Sequence, residues 1–377
     1  MKTHLCNSLP LAFLLASTSI HATNYAVDAR SMGMGGTGVT TSDALTGPFI
    51  NPAMIAVNAS HKRFGLMLPA LGVTASDSDR TLDVVDEIKA KYEHLVNTPS
   101  YKTLFELDEL LDDLSDNKAV NVNSTVGVSA VIPNDLIATS IFGSVQLDLI
   151  SSAEIATGSN PLDRYNHSTM VLAGSGILDV GLSFARELKF KGHSVTIGIS
   201  PKYQELRTYS ISKELGDFDL DNYEDSEKKD ARFNVDVGAT WMLGNKWRFG
   251  VAAKNLIPYS IDTIDRIFTY SISPEVTLGA AYIRDSYSVA LDADVTKLER
   301  FNIESDDTQM IRAGVELDAW SIAQIRFGYE SDLKSNLDDS ITAGIGLNVF
   351  DKGLFDVAAQ YAGENQAGVS ANMTYKF

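Results

Sequence analysis

From Val120 onward the chain alternates apolar and polar residues over short segments, the period-2 signature of strands with two unlike faces. At the C-terminus Val369, Ala371, Met373, Tyr375 and Phe377 share one side, and Gly368, Ser370, Asn372, Thr374 and Lys376 share the other. Ile341, Ala343, Ile345, Leu347 and Val349 oppose Ser340, Thr342, Gly344, Gly346 and Asn348 in the same way. The pattern predicts strands over residues 64–75, 120–132, 137–150, 168–188, 193–210, 231–243, 246–256, 274–284, 287–297, 308–318, 322–331, 340–350, 354–361 and 367–377. Connection length then separates a sandwich from a barrel. Tight turns at 133–135, 189–192, 244–245, 285–286, 319–321 and 351–353 alternate mostly with longer polar loops such as 151–167, 211–230 and 257–273. Short turns at one end and long loops at the other are the asymmetry of outer-membrane barrels. The expected fold is all-β: a 14-stranded antiparallel transmembrane β-barrel with both chain ends on the periplasmic side.

Charge fixes which face meets lipid. Arg312 and Glu316 oppose Ile311, Ala313, Val315 and Leu317, and Arg326 and Glu330 oppose Ile325, Phe327 and Tyr329. Reversing the faces would put each arginine in hydrocarbon at roughly 2–4 kcal/mol near the midplane, so a one-residue slip is strongly disfavoured. Arg186 and Glu205 depart from the rule on the apolar face, each expected near a strand end. Trp241, Trp247 and Trp320 all fall beside or within the inferred periplasmic turns, where an aromatic girdle meets headgroups.

Two segments stand outside the β pattern. Residues 1–22 carry Lys2 and His4, then a short apolar run over 9–20, then Ala22, the layout of a cleavable signal peptide. Residues 23–62 contain Gly33, Gly35, Gly36 and Gly38, followed by Asn51, Pro52 and Ala53. Gly33, Gly35 and Gly38 match the dinucleotide fingerprint in spacing, but no strand precedes them and no βαβ unit follows. They are taken instead as permitting close backbone packing, in a segment placed to plug the lumen as a hatch. Within the barrel, 63–377, residues 76–119 form a helical insertion in the first outer loop. Leu82, Val85, Ile88, Tyr92 and Leu95 recur at helical spacing, Pro99 interrupts, and Leu104, Leu107, Leu111 and Leu114 resume the stripe beside acidic Asp108, Glu109, Asp112, Asp113 and Asp116.

Composition narrows the chemistry. The 377 residues include 49 acidic and 31 basic side chains, a net charge of −18, so nucleic acid is not an expected partner. The only cysteine, Cys6, leaves with the signal peptide, which excludes a disulfide or thiolate metal cage in the mature chain. His61, His94, His167 and His193 are widely separated, Gly192-His193-Ser194-Val195-Thr196 misses a nucleophile elbow, and no cofactor or catalytic residue is expected. Asp217, Asp219 and Asp221 open like a calcium loop, but Asn222 and Lys228 occupy the turn and closing positions. The remaining candidates are inward charges: Arg232, Asp236, Arg248, Lys254, Asp292, Asp294, Arg312, Glu316, Arg326 and Glu330. They either fill the lumen with cross-strand ion pairs or line a path for solute.

Taken together, Ala29-Arg30-Ser31-Met32-Gly33-Met34-Gly35-Gly36, Asn51-Pro52-Ala53, Phe64-Gly65-Leu66-Met67-Leu68-Pro69 and the acidic insertion resemble the TraF-like family named after the F plasmid conjugal transfer operon. More broadly the chain is similar to FadL-like barrels, outer-membrane transporters of long-chain fatty acids and other hydrophobic compounds. The resemblance implies that Asn51, Pro52 and Ala53 lie in the hatch. It also implies that the last strand, ending in Tyr375 and Phe377, is the signal read by the barrel-assembly machinery. The expected function is passive passage of hydrophobic or amphipathic small molecules across outer-membrane lipid. The alternative is a structural or interaction component of an envelope export or conjugal-transfer assembly.

Overall fold

The computed structural model describes residues 27–190, 193–217, 226–301, 307–319, 322–349 and 352–376. The signal-peptide segment, Trp320, Phe377 and most of the acidic stretch after Asp217 lie outside the described residues.

Fourteen strands close one antiparallel barrel: β1 (Gly65–Ser76), β2 (Val120–Ile132), β3 (Ala138–Glu154), β4 (Thr169–Phe190), β5 (His193–Glu214), β6 (Lys228–Leu243) and β7 (Trp247–Lys254), then β10 (Glu275–Ile283), β11 (Tyr287–Asp294), β12 (Met310–Ala319), β13 (Ala323–Asp332), β14 (Ser340–Val349), β15 (Gly353–Gly363) and β16 (Gln366–Lys376). Neighbours in sequence pair throughout, and β1 closes the ring against β16, with Leu66 opposite Tyr375 and Val73 opposite Val369. At Pro69, which has no N–H to donate, β1 bulges against both of its neighbours.

Side-chain direction follows the charge pattern. Ile341, Ile345, Phe327 and Val369 are exposed on the outside, while Ser340, Thr342, Arg326, Glu330, Ser370 and Asn372 are buried inside. Trp241, Trp247, Phe249, Tyr282 and Tyr287 form a continuous outward aromatic patch at the short-turn end of β6, β7, β10 and β11; Trp247 lies 4.8 Å from Tyr282 and stacks with Phe249 at 6.3 Å. Outward Glu205 lies within β5, not near its end as expected, and its charge is paired with Arg207 at 2.7 Å.

The rim is uneven, and more so than the alternation predicted. β4 and β5 each run 22 residues, whereas β7 and β11 run 8. The long strands are about twice what a tilted strand needs to cross hydrocarbon, so β3–β6 make a tall wall. The helical insertion leans on it. Helix α3 (Thr81–Asn97) buries Val85, Ile88 and Leu95, and α4 (Tyr101–Asp116) buries Leu107, Leu111 and Leu114. Both pack with Tyr165, Met170 and Leu215 of the tall wall and its loop. Within that loop a short helix, α5 (Pro161–His167), sends Arg164 onto Asp108 at 2.6 Å and Asp112 at 2.7 Å. Part of the acidic side of α4 is therefore an internal joint.

The loop expected to be polar over 257–273 is instead a folded element. Its two strands, β8 (Tyr259–Asp262) and β9 (Thr269–Ile272), pair with each other outside the barrel sheet, and β9 is bridged on its other side at Tyr270 by Phe301. The hydrophobic alternation there is short, and its apolar partners come from distant strands, so sequence periodicity did not separate it from a loop.

Replacing outward Ile345 at mid-strand with arginine should lower unfolding free energy in lipid vesicles by roughly 2–4 kcal/mol. Guanidinium titration would measure this, and an Ile345→Arg protein as stable as the parent would mean that face does not meet acyl chains.

Candidate functional site

The short-turn half of the lumen is filled by the hatch. Asp28 caps α1 (Ala29–Gly33) by accepting from Ser31 N at 2.9 Å, and Ser31 Oγ donates to the carbonyl of Thr37 at 3.0 Å. Gly35 and Gly36 sit at φ 63° and 69°, the left-handed region that turns the chain back at this point. A second turn of helix, α2 (Gly47–Ile50), leads into Asn51 and the 3-10 segment Pro52–Lys62. Asn51 clamps the two halves: its amide donates to Val39 O at 2.7 Å and its Oδ1 accepts from Ala53 N at 3.0 Å.

The hatch seats on glycines of the barrel wall. Gly314 and Gly328 pair directly across β12 and β13, and a Cβ on Gly328 would lie 2.0 Å from Gly35 N, one on Gly314 2.3 Å from Met34 O. Gly198 and Gly238 pair across β5 and β6, where added carbons would lie 2.3 Å from the carbonyl carbon of Pro52 and 1.9 Å from Asn51 Oδ1. A third pair, Gly250 and Gly279, faces Val39 and Thr40. Hatch and wall thus approach backbone to backbone, and Asn51, Pro52 and Ala53 fit because side chains are missing opposite them. The Gly33–Gly36 run and the glycines on the polar faces of the strands are two sides of one interface.

Charge anchors the same surface. Arg30 grips Glu316 with two bonds of 2.8 Å, and Arg326 reaches Glu316 at 2.7 Å and Asp356 at 2.6 Å. Asp356 accepts from Asn372 at 3.4 Å, and Asn372 accepts from Ala29 N at 2.8 Å, so the chain of contacts starts and ends on the hatch. Asp292 accepts from Gly38 N at 2.7 Å and Val39 N at 3.0 Å, Arg248 donates to Thr40 O at 2.6 Å, and Gly35 N donates to Thr342 at 2.9 Å. Lys376 of the last strand holds Asp43 at 2.7 Å, and its charge helps keep that carboxyl well below the usual carboxylate range despite burial. In α1 the opposite balance holds: burial pushes the Asp28 carboxyl up to about 6, against the Ser31 N–H and the charge of Arg30.

The long-loop half is closed by the β8–β9 hairpin, which crosses from the low wall to the tall one. Tyr259, Ile261, Phe268, Tyr270 and Ile272 pack on Ile150, Val171, Ala173, Ile177 and Leu206 of β3–β5. Phe301 meets Tyr270 edge-on at 4.9 Å. Beneath them Asp148 accepts from Asn123 at 2.5 Å and Tyr270 at 3.4 Å. Between hatch and hairpin lie cavities of about 120 and 50 Å³, both bordered by Lys254, Glu275 and Leu298. The larger is walled below by Val39, Phe49 and Ile50 of the hatch; the smaller is roofed by Tyr270 and Ile272 of the hairpin.

Glu316, Arg326, Asp292 and Arg248 of the inward charges therefore contact the hatch or its anchors. Asp236 pairs with Lys202 at 3.1 Å, Arg312 with Asp294 at 2.8 Å, and Glu330 with Gln360 at 3.2 Å, all within the wall. Arg232 lies over the Tyr259 ring at 4.9 Å and pairs with Asp230 at 2.9 Å. Tyr375 sits in β16 opposite Gly353 and Leu66, away from the lumenal contacts. Reading the sequence for strand parity missed Arg30, Asp43, Lys202 and Asp148. Arg30 lies inside the glycine-rich motif and is the only cation there, a signal that was available; the others are placed by long-range pairing alone.

The family model described as "F plasmid transfer operon, TraF, protein" matches residues 48–294. Among solved structures, the Ralstonia pickettii toluene transporter TbuX is similar with a TM-score of 0.53 at 12% identity, covering 93% of this chain and 97% of that one. The CymD monoaromatic hydrocarbon channel matches to the same TM-score, identity and coverage. No curated protein matches the chain.

Two outcomes test the hatch interface. A Gly328→Val protein should keep its folded-barrel gel mobility while its hatch becomes cleavable by added protease; a hatch as resistant as in the parent would contradict backbone-to-backbone seating. Because the Asp28 carboxyl lies near 6 when seated against an ordinary 3.8, protonation favours the seated hatch, and this advantage declines as pH rises between those values. Amide exchange in α1 should therefore be slower near pH 5 than near pH 7 after correction for intrinsic rates, with the difference lost in Asp28→Asn.

Proposed function

The chain belongs to the family of the F plasmid transfer operon TraF protein and folds as a FadL-like barrel, and from this we propose that it is an outer-membrane conduit through which small hydrophobic or amphipathic molecules pass passively. The observation that carries the reading is the arrangement in series of a hatch, a pair of cavities and an in-folded hairpin inside one closed wall. Neither plug is a barrel strand, so either can shift without breaking the ring of hydrogen bonds. The larger cavity, about 120 Å³, is near the roughly 150 Å³ that holds a benzene-sized molecule. The similarity to the toluene transporter and the monoaromatic channel supports the fold of such a conduit, and the lumenal apolar patches of Val39, Ile50 and Leu298 support a solute with an apolar part.

In this reading the short turns and both chain ends face the periplasm, the outward side meets outer-membrane lipid, and the barrel-assembly machinery reads the strand ending in Tyr375 and Phe377. The protein is a conduit and not an enzyme. A second reading, a docking component of an envelope export or transfer assembly, draws on Tyr101 and Phe105, which α4 leaves exposed beside its acidic residues.

Because the plugs lie in series, removing residues 23–62 alone should raise vesicle swelling rates modestly. Replacing 259–272 with a short glycine-serine linker as well should raise them several-fold more. If the doubly opened barrel, shown folded by its gel mobility, swells vesicles no faster than the parent, passage through this lumen is excluded.

A further inference from the structure

The charged side chains that face the two cavities differ in how far they are committed. Asp292 is held by two hatch N–H groups, Asp294 by Arg312, Thr277 and Met310 N, and Lys202 lies between Asp179 at 2.9 Å and Asp236 at 3.1 Å. Lys254 is the exception. Its side chain makes no hydrogen bond, ion pair or ring contact with any described residue, although Arg30, Lys202, Arg300, Arg312 and Arg326 in the same lumen all pair with carboxylates. Directly opposite it on β10 stands Glu275, which accepts one bond, from Asn255 at 2.9 Å to Oε1, and has no partner for Oε2 among the described residues. Both side chains line both cavities, yet no ion pair joins them.

A cation and an anion on adjacent strands, inside a wall, each with unused hydrogen-bonding capacity toward the same space, form a two-pole site. A simple anion entering it would satisfy Lys254 and leave Glu275 Oε2 beside it without a partner, and a simple cation would do the reverse; either arrangement leaves one half-buried charge uncompensated. A molecule with both charges satisfies both. Apolar surface from Val276, Leu298 and Met310 borders the larger cavity beside these poles, and its volume of about 120 Å³ restricts the occupant to a few carbons beyond the charged groups.

We propose that the chamber binds a small zwitterion with an apolar side chain, an α-amino-acid-like solute whose carboxylate accepts from Lys254 Nζ and whose ammonium donates to Glu275. The proposal rests on the reading of the lumen as a conduit and narrows its solute class. Full-length mature protein folded in detergent is titrated with L-valine, and with isovalerate and isobutylamine, which each lack one of its charges. Saturable valine binding is expected, with each one-charge analogue weaker by about tenfold or more, the scale of a charge-assisted hydrogen bond. Lys254→Met and Glu275→Gln should each weaken valine to a similar extent while keeping folded-barrel mobility. The proposal is overturned if valine does not saturate, if isovalerate binds as well as valine, or if both variants bind valine like the parent; lowered thermal stability with unchanged binding would make the pair a structural one. Vesicle swelling is measured separately: binding without passage leaves this site standing and removes the conduit, and passage without binding does the opposite.

Discussion

No water reaches the hydrocarbon core to satisfy a free peptide group, so a sheet that crosses it must have no edge. The pairing of β1 with β16 meets that demand, and the rest of the molecule follows from it. Once the ring is closed, alternate residues have two destinations only, lipid or lumen, and every charge in the strands must be placed accordingly. The outward face carries Ile345, Phe327 and Val369; the inward face carries Arg326, Glu316 and Asp356, which must then find partners within a space too small for bulk water.

The two plugs meet that space with different chemistry. The hatch is held by ion pairs and hydrogen bonds to Glu316, Asp292, Thr342 and Lys376, and by burial of Met32, Met34, Leu45, Phe49 and Ile55 against the wall, over a surface partly cleared of side chains by paired glycines. Each such bond is worth a net of about 0.5–1.5 kcal/mol, or about 1.5–3 where a charge is involved, so these directional contacts add specificity to the apolar seating. The β8–β9 hairpin is anchored by aromatic and aliphatic burial, at roughly 1.5–3 kcal/mol for each large side chain fully removed from water.

Uneven strand length connects these parts. The tall wall of β3–β6 supplies the apolar shelf that receives the hairpin and the rim on which α3, α4 and α5 pack. The acidic residues of α4 take part in that packing through Arg164, so the outer cap is joined to the barrel by ion pairs as well as by leucines. The low wall at β7 and β11 leaves the gap in which Lys254 and Glu275 face the cavities.

Parity, turn length and the sign of each face determined the barrel, its strand number and the inward direction of Arg312, Glu316, Arg326 and Glu330, because a period of two and the cost of charge in lipid are local properties of the chain. The glycine-rich run and Asn51-Pro52-Ala53 marked a close-packed segment for the same reason: a missing side chain is visible in the sequence. Only the tertiary structure decided what each faced. Gly328 lies opposite Gly35, Gly238 opposite Asn51, and Arg30 grips a glutamate 286 positions away. The hairpin at 259–272 was likewise hidden, since its shelf is assembled from three distant strands. Those partners depend on the curvature and register of the closed ring, which no stretch of sequence contains by itself.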